Sequence, residues 1–228
     1  MILTVTAGKG GVGKSTVAYN LAAELGAVAV DADLGMADLP AARGPDLHDV
    51  LAGRATAVEA VREAGAVPLL PCGRSLAGVR AADPTALVET VERVASQYGA
   101  VVVDAPAGMH SDAGLPLLAA DACLLVVRQT RPSMAGALRT RELARALDTP
   151  LAQVVLNRVD RRRDREEVAS TLGAPVTELP ESETVARAQR AGQPVRAVAP
   201  DSAAAEQFAA LAGAVERAVG DARHTRVR

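Results

Sequence analysis

The residues Ile2–Thr6 have strand-forming character and run through Ala7 into Gly8-Lys9-Gly10-Gly11-Val12-Gly13-Lys14-Ser15-Thr16, where a helical pattern begins. No other stretch constrains the chain so tightly. The run satisfies GxxxxGK[ST] in the strand, loop, helix setting that this motif requires. Its glycines let the backbone curl until successive N–H groups face one point, and the helix start adds the positive end of its dipole. Such a loop is built to hold a phosphate chain. It also commits the first strand to a sheet that has helices packed on it.

The remaining pattern agrees. Short β-branched runs at 27–30, 67–70, 100–103, 123–127 and 154–156 alternate with helical patterns at 14–25, 47–64, 84–97, 132–147 and 201–219. This is the rhythm of an α/β, doubly wound and mainly parallel sheet with helices on both faces. Runs such as VVVD and CLLVV are apolar without alternation, as expected of strands covered on both sides. A chain of 228 residues fits one domain spanning 1–228, with 220–228 expected as a loose tail. In the last helix Phe208, Leu211, Ala212, Val215 and Val219 recur at helical spacing and predict a stripe packed on the sheet.

Composition narrows the possible partners. The formal charge of -2 provides no global basic field, and Tyr19, Tyr98 and Phe208 are the only aromatic residues, so stacking platforms for single-stranded bases are missing. Nucleic acid is a possible partner but not the favoured one; its best local handle is Arg161, Arg162 and Arg163, in a mixed-charge run that reads first as the start of a solvated helix. The amino end lacks the pattern of a signal peptide, and no apolar run reaches the roughly eighteen residues of a membrane span, so a cytoplasmic protein is expected. Cys72 and Cys123 form no CxxC pair and read as small buried hydrophobes. His48, His110 and His224 share no metal-ligand spacing, and His48 is expected to cap or pack the helix that starts at 47.

Lysine use is informative. Of 25 basic residues only Lys9 and Lys14 are lysine, and both lie in the glycine loop. Elsewhere the chain uses arginine, which suggests two positions that need a compact ammonium on a flexible stem. Beyond the loop, Asp31 and Asp33 follow the second strand pattern, where doubly wound folds bind ligands, and Asp31 reads equally as a turn cap. Val101–Asp104 has the form of a buried strand delivering one acid to the same edge, which with Ser15 makes a site for Mg²⁺. Asn157 ends another strand, where its amide is placed to read a base edge. With Arg158, Val159 and Asp160 it stands one Lys-to-Arg change from the guanine motif NKxD, so a GTPase is a competing reading.

At these positions the chain resembles the MinD/ParA ATPases. KGGVGKST looks like their deviant Walker A, DADLGMAD at 31–38 like their first switch segment, and Asp104-Ala105-Pro106-Ala107-Gly108 like their DxPAG segment. Segments 47–53, 73–84 and 179–195 extend the resemblance over nearly the whole chain, closest to MinD-like members. The resemblance implies an ATP-dependent homodimer in which Lys14 and the loop from Gly8 to Thr16 bind phosphates and Lys9 reaches the partner's nucleotide. It further implies that Asp33 positions water, reaching the metal through water as well, and that Asn157 and Arg158 serve adenine; the spacing from Asp104 to Gly108 is also one residue longer than in GTPases. ATP and Mg²⁺ are the implied cofactors, with an unidentified activator or cargo protein as a further partner. A ParA-like DNA-binding role is the alternative within the family. The terminal DARHTRVR has no Trp, Phe, Leu or Ile, so stable membrane anchoring of the MinD kind is not expected.

Overall fold

A computed structural model describes residues 1–40, 43–108, 111–159 and 165–226. Its frame is a seven-stranded sheet in which every strand pair is parallel. The strands are β1 (Ile2–Thr6), β2 (Val28–Asp31), β3 (Leu69–Leu70), β4 (Val101–Asp104), β5 (Ala122–Val127), β6 (Leu151–Val159) and β7 (Val176–Pro180). Their spatial order is β3-β2-β4-β1-β5-β6-β7. The chain leaves β1 towards one side of the sheet and passes from β4 to β5 across it, so the loop after β1 lies where the winding reverses.

In chain order the helices are α1 (Lys14–Leu25), α2 (Leu47–Leu51), α3 (Ala57–Ala60), α4 (Leu76–Ala81), α5 (Leu87–Tyr98), α6 (Leu115–Leu118), α7 (Arg131–Ala146), α8 (Arg165–Leu172), α9 (Glu183–Arg190), α10 (Val195–Val198) and α11 (Ala203–Arg226). Helices cover both faces of the sheet. Leu3, Val5, Leu124, Val126 and Val155 pack with Leu21 of α1 and Phe208, Leu211 and Val215 of α11. Val28, Val30, Val101 and Val103 instead join Leu87, Val91 and Val94 of α5. The stripe expected on the last helix is thus buried as the spacing required. Burying each of these side chains contributes about 1.5–3 kcal/mol, so an almost wholly aliphatic core, with Phe208 as its buried aromatic ring, holds the sheet.

Several boundaries differ from the sequence pattern for identifiable reasons. The helix expected at 47–64 is two short helices, because Gly53 adopts a left-handed φ of 70° and Thr56 restarts the chain with a capping box to Glu59. β6 extends well beyond 154–156, taking in the buried Gln153, whose amide donates to Thr177 Oγ1 at 2.8 Å. β7 was not visible as a strand, since VTELP combines polar residues with a proline that serves at its edge. The last helix is Ala203–Arg226. Asp160, Arg161, Arg162, Arg163 and His110 lie outside the described residues.

Candidate functional site

The site is assembled at the C-terminal edge of the sheet. The loop after β1 turns through Gly11 and Gly13, whose φ values of 74° and 94° place them in the left-handed region. Val12 between them is buried and anchors the loop in the core, whereas Lys9, Gly10 and Gly11 are exposed. α1 starts at Lys14 with no side-chain cap and no acidic residue in its first turn. Its first N–H groups are therefore left for a ligand, and the turn itself carries no acid to oppose an anion. Gly8 has a second reason to be glycine: a Cβ there would stand 2.0 Å from the backbone carbon of Gly136 in α7. The reciprocal Cβ on Gly136 would stand 2.4 Å from Gly8 O.

Lys14 and Asp104 meet at this edge. Their Nζ and Oδ1 lie 2.5 Å apart, with side-chain exposures of 6% and 0%. Lys14 Nζ also donates to Ser15 Oγ at 3.2 Å, and Ser15 Oγ donates to Asp38 Oδ2 at 3.1 Å. Burial raises the pKa of Asp104 despite the opposing pull of the Lys14 charge and hydrogen bond. Its other oxygen, Oδ2, is buried without a hydrogen-bond partner among the described residues. An orphaned carboxylate oxygen next to a serine hydroxyl and a second carboxylate is a hard-oxygen donor set that fits Mg²⁺. Among the described residues no three His, Cys, Asp or Glu side chains form a metal cage. Mg²⁺ needs none, because it is ordinarily held by one or two carboxylates together with phosphate oxygens and water.

The loop after β2 supplies the other acids. Asp31 is buried and accepts backbone hydrogen bonds from Asp38 and Leu39 through Oδ2, both at 3.0 Å, which makes it the cap that folds this loop. Burial is the largest cause raising its pKa, to about 7, with the Asp104 charge adding to it. Asp33 is half-buried, and burial raises its pKa while the Lys14 charge lowers it. An open depression of about 670 Å³ brings Lys9, Lys14, Ser15, Thr16, Asp33, Asp38 and Arg158 around the glycine loop. Asp38 was not singled out by sequence, because only the fold of this loop returns it to Ser15.

Asn157 is engaged within the chain. Its Nδ2 donates to Val12 O at 2.7 Å, and its Oδ1 accepts from the Arg158 N–H at 3.0 Å. The amide thus ties β6 to the glycine loop. Arg158 has φ 54° at the irregularity where the register with β7 shifts, and it lines both the depression and an adjoining recess of about 270 Å³. That recess is walled by Leu179, Pro180, Glu181 and Ser182 and by Phe208, none of them named as site residues from sequence. The sequence signal available was the resemblance of segment 179–195, which assigned no roles there.

A family model described as the CobQ/CobB/MinD/ParA nucleotide binding domain matches residues 3–195. The chain belongs to the MinD/ParA family of P-loop ATPases. An uncharacterised ATP-binding protein of Methanocaldococcus jannaschii is 36% identical to this MinD/ParA member over 230 residues, covering 94% of this chain and 88% of the relative. Among solved structures, the cell division ATPase MinD of Pyrococcus furiosus superposes with a TM-score of 0.87 at 29% identity, covering 95% of this chain and 98% of that one. The septum site-determining protein MinD of Pyrococcus horikoshii, solved with Mg-ADP, gives 0.88 at 28% identity, covering 97% and 98%. The fold of this chain is therefore that of the MinD P-loop proteins.

Proposed function

We propose that the chain is a Mg²⁺-dependent ATPase that works as an ATP-driven dimerisation switch, MinD-like, for positioning the cell-division machinery or another cargo. The observation that carries this reading is the convergence of Lys9, Lys14, Ser15 and Asp33 on one open depression around the glycine loop. Loop amides and Lys14 hold the phosphates. Lys14, which is paired with Asp104 in the absence of nucleotide, is the cation available to phosphate oxygen, and Asp104 with Ser15 would hold the metal. Mg²⁺ supplies charge neutralisation on the phosphates when bound. Asp33 orients the water that adds to the terminal phosphorus as ADP departs. Lys9, exposed at the rim, completes the site of a second copy, while Asn157 and Arg158 border the adenine.

In this reading the chain acts as one nucleotide-binding unit in the cytoplasm, and a protein activator or cargo recognises the ATP-bound dimer. Among the described residues no helix is long and apolar enough to cross a membrane. The test is molar mass by light scattering with Mg²⁺ and no nucleotide, ADP, ATP or GTP, using Asp33→Ala to slow turnover. A monomer-to-dimer shift with ATP alone is expected. A shift with GTP alone would replace ATP by GTP in the proposal, and no shift with any nucleotide would end the switch.

A further inference from the structure

The loop that carries Asp33 is fastened from beneath by two side chains that the proposed chemistry does not use. Cys72, just beyond β3, places Sγ 3.4 Å from the carbonyl oxygen of Asp33 itself. His48, in α2, places Nε2 3.1 Å from the carbonyl oxygen of Leu34. The two groups lie 3.5 Å apart and are 1% (His48) and 6% (Cys72) exposed.

Carbonyl oxygens accept, so the geometry requires a proton on His48 Nε2 and an S–H on Cys72. Burial pushes the Cys72 thiol well above its ordinary range, helped by the charges of Asp31, Asp46 and Asp33, so the sulfur keeps its proton and remains a donor. His48 Nδ1 is buried with no hydrogen-bond partner among the described residues. Leaving a buried polar nitrogen unsatisfied is unfavourable, and an apolar side chain would fill the same space without that penalty. The use of a histidine here therefore lies at its other nitrogen. The surroundings fit the ring closely: at Gly73 and Gly78 a Cβ would stand 2.3 and 2.8 Å from Nδ1. Asp46 and Asp49 cap α2 reciprocally and fix the turn from which His48 projects.

We propose that His48 and Cys72 are positioning residues for hydrolysis, holding the backbone of Asp33 and Leu34 so that the Asp33 carboxylate is presented to the attacking water. The inference rests on the reading of Asp33 given above. On its other side, the Asp33 N–H faces Asp31 Oδ1 at 3.4 Å. The peptide planes before and after Asp33 are both held, and rotation about χ1 and χ2 is the main freedom left to the carboxylate. Misplacing a reacting group by a fraction of an ångström slows chemistry while leaving ground-state binding nearly intact.

The experiment measures single-turnover ATP hydrolysis and ATP affinity separately for the wild type, His48→Leu, His48→Gln, Cys72→Ala, Cys72→Ser and Asp33→Asn, and for His48→Leu combined with Asp33→Asn. His48→Leu is expected to slow turnover about tenfold, with ATP affinity unchanged within about twofold. His48→Gln recovers much of the rate because its amide N–H reaches the same carbonyl, and Cys72→Ser keeps more than Cys72→Ala. In the Asp33→Asn background, His48→Leu adds no further loss to the residual rate. A folded His48→Leu protein with wild-type turnover overturns the proposal, as does a loss that adds in full to that of Asp33→Asn. If His48→Leu does not fold, the Cys72 pair decides by the same criteria. Asp33→Asn with undiminished turnover would instead remove the water-orienting role on which the latch depends, a different failure with its own signature.

Discussion

Replacing Lys14 by methionine tests the electrostatics of the site in the absence of any nucleotide. At 2.5 Å and an effective dielectric constant of about 20, the attraction between Lys14 and Asp104 is on the order of 7 kcal/mol, most of it offset by the desolvation of both groups. Lys14→Met removes the attraction and leaves the buried carboxylate uncompensated, at a cost of about 3–5 kcal/mol. For a chain of this size that lowers Tm by about 6–20 °C. Asp104 has one escape, which is to take a proton. Its pKa is already raised by burial, and Lys14 is the largest opposing influence, so the substitution raises it further. A carboxyl with a higher pKa folded than unfolded keeps its proton over a window, starting near pH 4, in which the unfolded chain has released it, so stability falls as pH rises through that window. The deficit of Lys14→Met against wild type at the same pH is therefore small at pH 5 and large at pH 8. Adding Asp104→Asn restores most of the loss at pH 8. Urea denaturation followed by circular dichroism at both pH values reads all three proteins. An equal deficit at pH 5 and pH 8, or an Asp104→Asn loss that adds to that of Lys14→Met, would refute the argument.

Three further outcomes follow from the same geometry. Asp31→Asn retains an oxygen for the Asp38 and Leu39 N–H groups but cannot ionise; because the Asp31 pKa is about 7 folded, wild type loses stability between about pH 4 and 7, by up to about 4 kcal/mol, and the variant lacks that slope in thermal melts. Asn157→Ala breaks the 2.7 Å tie to Val12 O and is expected to weaken ATP binding by about tenfold, roughly one hydrogen bond's worth, in a fluorescent-nucleotide titration; unchanged affinity would show that the loop holds its shape unaided. Lys9 is exposed, so Lys9→Ala leaves Tm within about 1–2 °C while abolishing the ATP-induced rise in molar mass; persistence of the dimer would sink the role given to Lys9.

What the sequence disclosed was set by local chemistry. The loop from Gly8 to Thr16 and the span of α1 were legible because Gly13 and Gly26 mark both helix ends with left-handed backbone. Asp104 was legible because an uninterrupted apolar run ended in a single acid. The break between α2 and α3 was hidden because apolar residues continue on both sides of Gly53. Asp38, His48 and Cys72 stayed hidden for another reason: each acts on a group brought near only by tertiary folding, Ser15 for Asp38 and the carbonyls of 33 and 34 for the other two. Cys72 was read as a small hydrophobe and is indeed buried, but its thiol also donates a hydrogen bond. Asn157 was expected to end its strand, but β6 continues to Val159, and the bond of its amide to Val12 O depends on how closely β6 approaches the loop.

The bare contact between Gly8 and Gly136 has a mechanical consequence. Most neighbouring elements meet through side chains, which rotate and so absorb small shifts before they spread. Here main chain bears on main chain with no rotamer between them. A tilt or slide of α7 by a few tenths of an ångström has nowhere to dissipate and arrives at the first turn of the glycine loop as a displacement of similar size. The helix and the loop behave as parts of one lever, and whatever loads the outer surface of α7 is felt where the backbone amides must converge.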